Sequence, residues 1–189
     1  RSSDATDQCM DETELALWKP PASAVTAEDE LATLRAVPLF KDLKDSDLKR
    51  VMKVLHVREY APGEVVFREG QTGAGMYIIK SGSVDIVMHL DDGNEKLLVT
   101  LGERQFFGEL ALLESIARTA SCVVRKPTVL LGIFQSDLEH LLDRDSRLGA
   151  RIVWNLARIT GARLRELSDS VRQTSKTTPP VLKKPGENT

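Results

Sequence analysis

The sequence predicts a mainly β fold: an antiparallel β jelly-roll barrel with N-terminal helices and a C-terminal helical lid. Between about 57 and 134, apolar residues recur in short runs with a period near two, broken by turn residues, which counts out to about eight short strands. On both sides of that span the period turns helical. A chain of 189 residues is enough for one domain of ordinary size plus tails.

Taken in order, residues 1–25 are rich in Ser, Thr, Asp and Ala and carry the breaker pair Pro20-Pro21. They are expected to be a disordered leader, with Leu15, Leu17 and Trp18 as a short docking segment. The domain is expected over 26–168. Thr26 caps a helix to about Arg35, with Glu28, Asp29 and Glu30 at its positive end and Leu31 and Leu34 on one face. Pro38 stops that helix, Leu39, Phe40 and Leu43 form a small apolar knot, and Asp45 or Ser46 announces the next helix. Leu48, Val51, Met52 and Leu55 are the stripe by which it lies on the barrel.

Strands begin at Val57. Val65 and Phe67 alternate with their neighbours, residues 70–75 are a glycine-marked loop, and Met76 to Lys80 is a short apolar strand ending at Ser81-Gly82. Val84, Ile86, Met88 and Leu90 share one face of the next strand, and Asp91-Asp92-Gly93-Asn94 is the clearest hairpin turn. Leu97, Val99 and Leu101 return along its partner. Thr119 to Val124 and Thr128 to Phe134 are two further strands joined across Lys126-Pro127.

The C-terminal helices are expected over about 136–168, a short one opened by Ser136 or Asp137 and a long one from about Ser146 to Leu167. The long helix carries two apolar stripes. Leu148, Ile152, Leu156 and Ile159 form the stripe for the barrel; Val153, Ala157, Thr160, Leu164 and Leu167 form a seam close to a heptad, suited to a second copy of the chain. Residues 169–189, with Pro179-Pro180 and Lys183-Lys184-Pro185, are expected to be a disordered tail without room for a helix-turn-helix, so no direct DNA binding is expected.

Net charge −2 gives no global attraction to nucleic acid or anionic lipid, so anion recognition has to be local. No apolar run approaches the length of a membrane span, residues 1–25 lack the basic and apolar regions of a secretory signal, and the two cysteines, Cys9 and Cys122, make no disulfide framework. A cytoplasmic location is the simpler expectation, with Cys122 a small core residue.

The chemistry concentrates in the run from Phe107 to Ser121. Gly108 lets backbone approach a ligand, and residues 109–113 make one helical turn whose free N–H groups attract an anion. Arg118 presents a planar fork of donors to phosphate oxygens, and Glu109 sits where a carboxylate accepts from a ribose hydroxyl. The competing reading of this pair is an internal Glu109–Arg118 salt bridge closing a loop.

This run resembles the phosphate-binding cassette of the cyclic nucleotide-binding domain family, the module of protein kinase A regulatory subunits, cyclic-nucleotide-gated channels and catabolite-activator-type regulators. Gly70-Gln71-Thr72-Gly73, Met76-Tyr77-Ile78-Ile79 and Gly82 resemble the glycine-spaced strand signature ahead of it, and the likeness covers roughly 38–165. The resemblance implies a ligand, cAMP or cGMP, rather than a cofactor. It assigns Arg118 to the cyclic phosphate, Glu109 to the ribose 2′-hydroxyl and the backbones of Gly108, Leu110 and Ala111 to the cradle. Phe107 opens the run, Thr119 and Ala120 follow the arginine, and Val99 lines the pocket wall. The Thr119 hydroxyl suits either a guanine amino group or a phosphate oxygen, with cAMP preferred. Where many members have a Gly and a Pro before the arginine, this chain has Ser115, Ile116 and Ala117.

Two other readings stand beside this one: a nucleotide-free docking or oligomerisation scaffold, and a jelly-roll metalloenzyme. The second needs converging ligands, whereas His56, His89 and His140 lie on separate elements. No Ser-His-Asp arrangement, P-loop or Cys-x-x-Cys is present, so the expectation is a regulatory domain, not an enzyme, acting on an effector that the sequence does not name.

Overall fold

A computed structural model describes residues 26–90 and 92–177, with side chains as far as Arg172. The leader segment Leu15, Leu17 and Trp18, the turn residue Asp91 and residues 178–189 lie outside the described residues. Helix α1 (Ala27–Ala36) starts after Thr26, whose hydroxyl accepts from the Asp29 N–H at 3.2 Å. It ends at Val37, which Pro38 holds extended, and Pro38–Phe40 follows as one 3-10 turn. Helix α2 (Asp45–Met52) is entered from Lys44 without a side-chain cap, because Asp45 and Asp47 already lie inside its first turn.

Six antiparallel strands follow: β1 (His56–Tyr60), β2 (Val65–Phe67), β3 (Gly75–His89), β4 (Glu95–Gly102), β5 (Phe106–Phe107) and β6 (Ser121–Phe134). They pair in the order β1-β6-β3-β4, with β2 also on β6 and β5 also on β3. This is the mainly antiparallel jelly roll with flanking helices, but its sheet is not closed, so it is an open roll and not a sealed barrel. Fewer strands appear than the expected eight because the two halves of β3 are continuous, as are the two halves of β6. Their mutual register slips three times, between Ile79 and Val84. Bulges of this kind bend a strand without ending it. Pro127, which has no N–H to give, falls in one slip: Lys126 faces Ser83 and Val129 faces Ser81.

Because β3 and β6 are buried on both sides, alternation along them divides two cores. Met76, Ile78, Leu131 and Ile133 face the helices, where Leu34, Phe40, Leu48, Val51 and Leu138 close over them together with Leu148, Ile152 and Leu156 of the last helix. Tyr77, Ile79, Cys122, Val124 and Leu130 turn the other way into the roll, with Tyr60, Phe67, Val84 and Phe107.

Helix α3 (Leu110–Leu113) is a single turn, α4 (Gln135–Arg144) opens where the Asp137 carboxylate accepts from the Phe134 N–H at 2.9 Å, and α5 spans Ser146–Thr177. The stripe Leu148, Ile152 and Leu156 is buried as expected, and Asn155 donates to the Leu39 carbonyl at 3.0 Å, tying α5 to the 3-10 turn. The expected end near Leu167, and with it a disordered tail from 169, needs correction: the helix continues to Thr177. No Gly or Pro interrupts 168–177, the Ser168 and Ser170 hydroxyls bond back to the Leu164 and Glu166 carbonyls, and adding residues to an anchored helix costs far less than nucleating one.

Candidate functional site

The two glycine-marked stretches singled out in the sequence are bonded to each other. Gly70 N–H donates to the Arg118 carbonyl at 2.8 Å, Arg118 N–H to the Gln71 carbonyl at 2.7 Å, and Gly73 N–H to the Ile116 carbonyl at 3.0 Å. The glycine loop therefore fixes the backbone from which Arg118 projects. The guanidinium then runs inward, and Nη1 donates to the Gly108 carbonyl at 3.2 Å. Its carbon lies 4.1 Å from the centre of the Phe67 ring, and Tyr77 and Phe107 stack beside that ring with centroids 5.5 Å apart. A cation on an aromatic face is held without being neutralised.

Two glycines make room for this group. A Cβ on Gly73 would come within 2.8 Å of Arg118 Nε, and one on Gly108 within 2.6 Å of Nη1. Gly108 also has φ +75°, a conformation that side chains disfavour.

Beside the guanidinium is a small cavity of 130 Å³ lined by residues 108–111 and 116–119. Arg118 and Glu109 are only 6% and 8% exposed, so two charged groups are built into the protein next to it. Burial of that kind is costly unless each charge is matched. The free N–H groups expected at this turn need correction: the Ala111 and Leu112 N–H groups donate to the Gly108 and Glu109 carbonyls at 3.2 Å each, because the backbone from Gly108 already curls into the turn. Six of the nine expected site residues line the cavity, namely Gly108, Glu109, Leu110, Ala111, Arg118 and Thr119, whereas Phe107 lies outside the lining and packs on the Phe67 ring that seats the arginine. Ala120 is buried beside Thr119 without lining the cavity, and Val99, expected on the pocket wall, stands 45% exposed on β4 and outside the lining. Strand β4 pairs only with β3 at the rim of the open roll, which leaves the Val99 side chain in solvent.

The structure does not pair Glu109 with Arg118. The Glu109 carboxylate accepts instead from Arg163 of α5, whose guanidinium also lies 5.0 Å from the Phe106 ring centre. Sequence reasoning missed Arg163, because 54 residues separate it from its partner. It also missed Phe67 and Tyr77 as the seat of Arg118; their alternation marked them only as strand residues. Cys122 is fully buried below the site, and burial raises its thiol well above the ordinary value of 9.0, with nearby Arg118 pulling the other way. Among the described residues no three His, Cys, Asp or Glu side chains are placed to hold a metal ion, and no helix is long and apolar enough to cross a membrane.

Residues 57–145 match the family model for the cyclic nucleotide-binding domain. This span belongs to the cyclic nucleotide-binding domain family. The chain is 32% identical over 133 residues to the cyclic AMP receptor protein of Thermus thermophilus, covering 70% of this chain and 60% of that protein. A cAMP-dependent protein kinase regulatory subunit of Colletotrichum orbiculare is 33% identical over 109 residues, covering 58% of this chain and 27% of the subunit. The chain thus spans less than two thirds of these relatives. Among solved structures, the catabolite activator protein of Thermus thermophilus matches with TM-score 0.67 and 31% identity over 73% of this chain and 63% of its own. The regulatory domain of Toxoplasma gondii protein kinase A, crystallised with cAMP, matches with TM-score 0.56 and 27% identity over 60% of this chain and 43% of its own. The family is one of regulatory domains, and the 107–121 run lies inside the matched span.

Proposed function

We propose that this domain binds a 3′,5′-cyclic nucleotide, cAMP ahead of cGMP, and passes occupancy of the cavity to α5. The observation that carries the proposal is the buried Arg118, held on aromatic faces at the edge of a cavity that also meets the start of α3. In this reading Arg118 takes the cyclic phosphate and the backbones of Gly108, Leu110 and Ala111 complete the cradle, while Thr119 and Ala120 flank it. Glu109 takes the ribose 2′-hydroxyl. The cavity is smaller than the roughly 300–1,000 Å³ usual for small-molecule sites, so the ligand opens it.

Opening acts on α5 through Glu109, which the ribose hydroxyl and Arg163 both address. A ligand that draws on Glu109 weakens the tie to the helix, and this difference in binding between two helix positions is what transmits the signal. Calorimetric titration with cAMP and cGMP tests the site. Arg118→Ala is expected to cost about 2–5 kcal/mol of binding free energy, because a phosphate loses its charge partner. Undiminished binding by the variant would refute the role of Arg118.

The outer seam of α5 supports a homodimer, with Leu164 and Leu167 about two thirds exposed and Val171 beside them. Sedimentation is expected to show a dimer that Leu164→Glu dissociates; a monomer at high concentration with and without nucleotide removes the proposal. A cytoplasmic location and an attached effector complete this reading.

The Glu109–Arg163 pair also supports a second reading, a nucleotide-free docking scaffold whose site is closed by its own helix. Thermal melting separates the two. A ligand at a hundred times its dissociation constant stabilises by about 2.7 kcal/mol, and no shift with either nucleotide favours the scaffold.

A further inference from the structure

Four arginines of α5, Arg151, Arg158, Arg165 and Arg172, recur every seven residues. Seven residues are nearly two helical turns, so the four share one edge at intervals of about 10.5 Å. None of them forms an ion pair or a hydrogen bond through its side chain among the described residues, whereas Arg35, Arg50, Arg125 and Arg163 each pair with a carboxylate. Four uncompensated guanidinium groups therefore stand along one ridge.

Between this ridge and the 3-10 turn runs a groove of 640 Å³, a size usual for binding sites. Pro38, Ile159 and Ala162 contribute apolar lining, and Lys41, Arg158 and Arg165 are its cations, opposed by Asp42 alone. Trp154, at one end, is 68% exposed, a large apolar surface left in water. At Gly161 an added Cβ would meet nothing nearer than Arg165 Nη1 at 3.9 Å, so another backbone can approach there.

We propose that this groove docks an acidic amphipathic helix of a partner protein, about three turns long, which sets an apolar side chain against Trp154 and carboxylates seven residues apart on Arg158 and Arg165. Charge complementarity and the matching two-turn interval select that occupant. Nucleic acid is a poorer fit, since the lining is largely apolar, Asp42 opposes phosphate and the chain's net charge of −2 gives no long-range attraction. A second copy is disfavoured because it would present the same arginine row, and of the proposed dimer seam only Ala157 lines the groove, with Leu164 and Leu167 outside it.

The test uses the full chain and a fluorescein-labelled helical peptide with glutamates seven residues apart and a leucine face, against the same peptide with lysines for glutamates. Anisotropy is expected to show binding of the glutamate peptide that weakens with salt. Arg158→Glu with Arg165→Glu is expected to lower it about tenfold or more, through charge reversal in a partly desolvated contact. Trp154→Ala is expected to weaken it as well, with melting temperature and nucleotide titration unchanged for both variants. Absence of binding, equal binding of the two peptides, or full binding by the double variant overturns the proposal. Tighter binding of a DNA duplex or of anionic vesicles also overturns it, as does a change of sedimentation in the double variant.

Discussion

The 107–121 run and the outer half of α5 place their side chains in opposite ways. In the 107–121 run, charge is buried: Arg118 and Glu109 are almost inaccessible, and glycines are placed so that one guanidinium fits. On the outer half of α5 the opposite holds, with Leu164, Leu167 and Val171 about two thirds exposed. A charge seated in advance by its surroundings suits a small anion of fixed shape. An exposed apolar seam is completed only by another surface.

Truncating the same side chain in both halves of α5 puts this contrast to its severest test. Leu156→Ala, fully buried, is expected to destabilise by about 2–5 kcal/mol. Leu164→Ala is expected to stay within about 0.5 kcal/mol in the monomer. Chemical denaturation at low protein concentration measures both, and equal losses would show the outer half to be packed. Next comes Gly108→Ala, which drives a Cβ into Arg118 at a positive φ and is expected to cost about 1–3 kcal/mol of stability. It should lower nucleotide affinity too; intact affinity would show that the arginine does not need its present seat.

Arg163→Ala is a smaller change, since its side chain is 44% exposed and the pair with Glu109 is screened by solvent. Nucleotide affinity is expected to rise, by roughly 1 kcal/mol at most, because Glu109 loses a competitor. A fall in affinity would show that Arg163 supports the bound state instead. The smallest effect is on Cys122. Its thiol is raised in the folded state, so the fold holds that proton longer than the unfolded chain does, and stability is retained below the ordinary thiol value and lost as pH rises beyond it. Denaturation above pH 9.0 is expected to show this slope in the native chain and not in Cys122→Ala, with the native thiol slow toward alkylating reagents.

Much of the fold was legible because it rests on local pattern. Thr26 and Pro38 bound α1 where capping and proline geometry require, and the buried stripe of α5 follows from helical spacing alone. The strand count was less legible, since Ser81-Gly82 and Lys126-Pro127 look like turns but are bulges facing each other across β3 and β6. That Gly108, Glu109 and Arg118 meet at one cavity was legible from their closeness in one short run. The support around them was not: Phe67 and Arg163 reach the site from distant parts of the chain.

Local sequence settled the start and end of α1, the place of most strand residues and the buried stripe of α5, because each depends on neighbours a few residues apart. Tertiary packing settled the rest: Glu109 answers to Arg163 and not to Arg118, and Arg118 rests on Phe67. Pairing between distant residues depends on which way the folded chain turns each side chain, and periodicity carries no record of that.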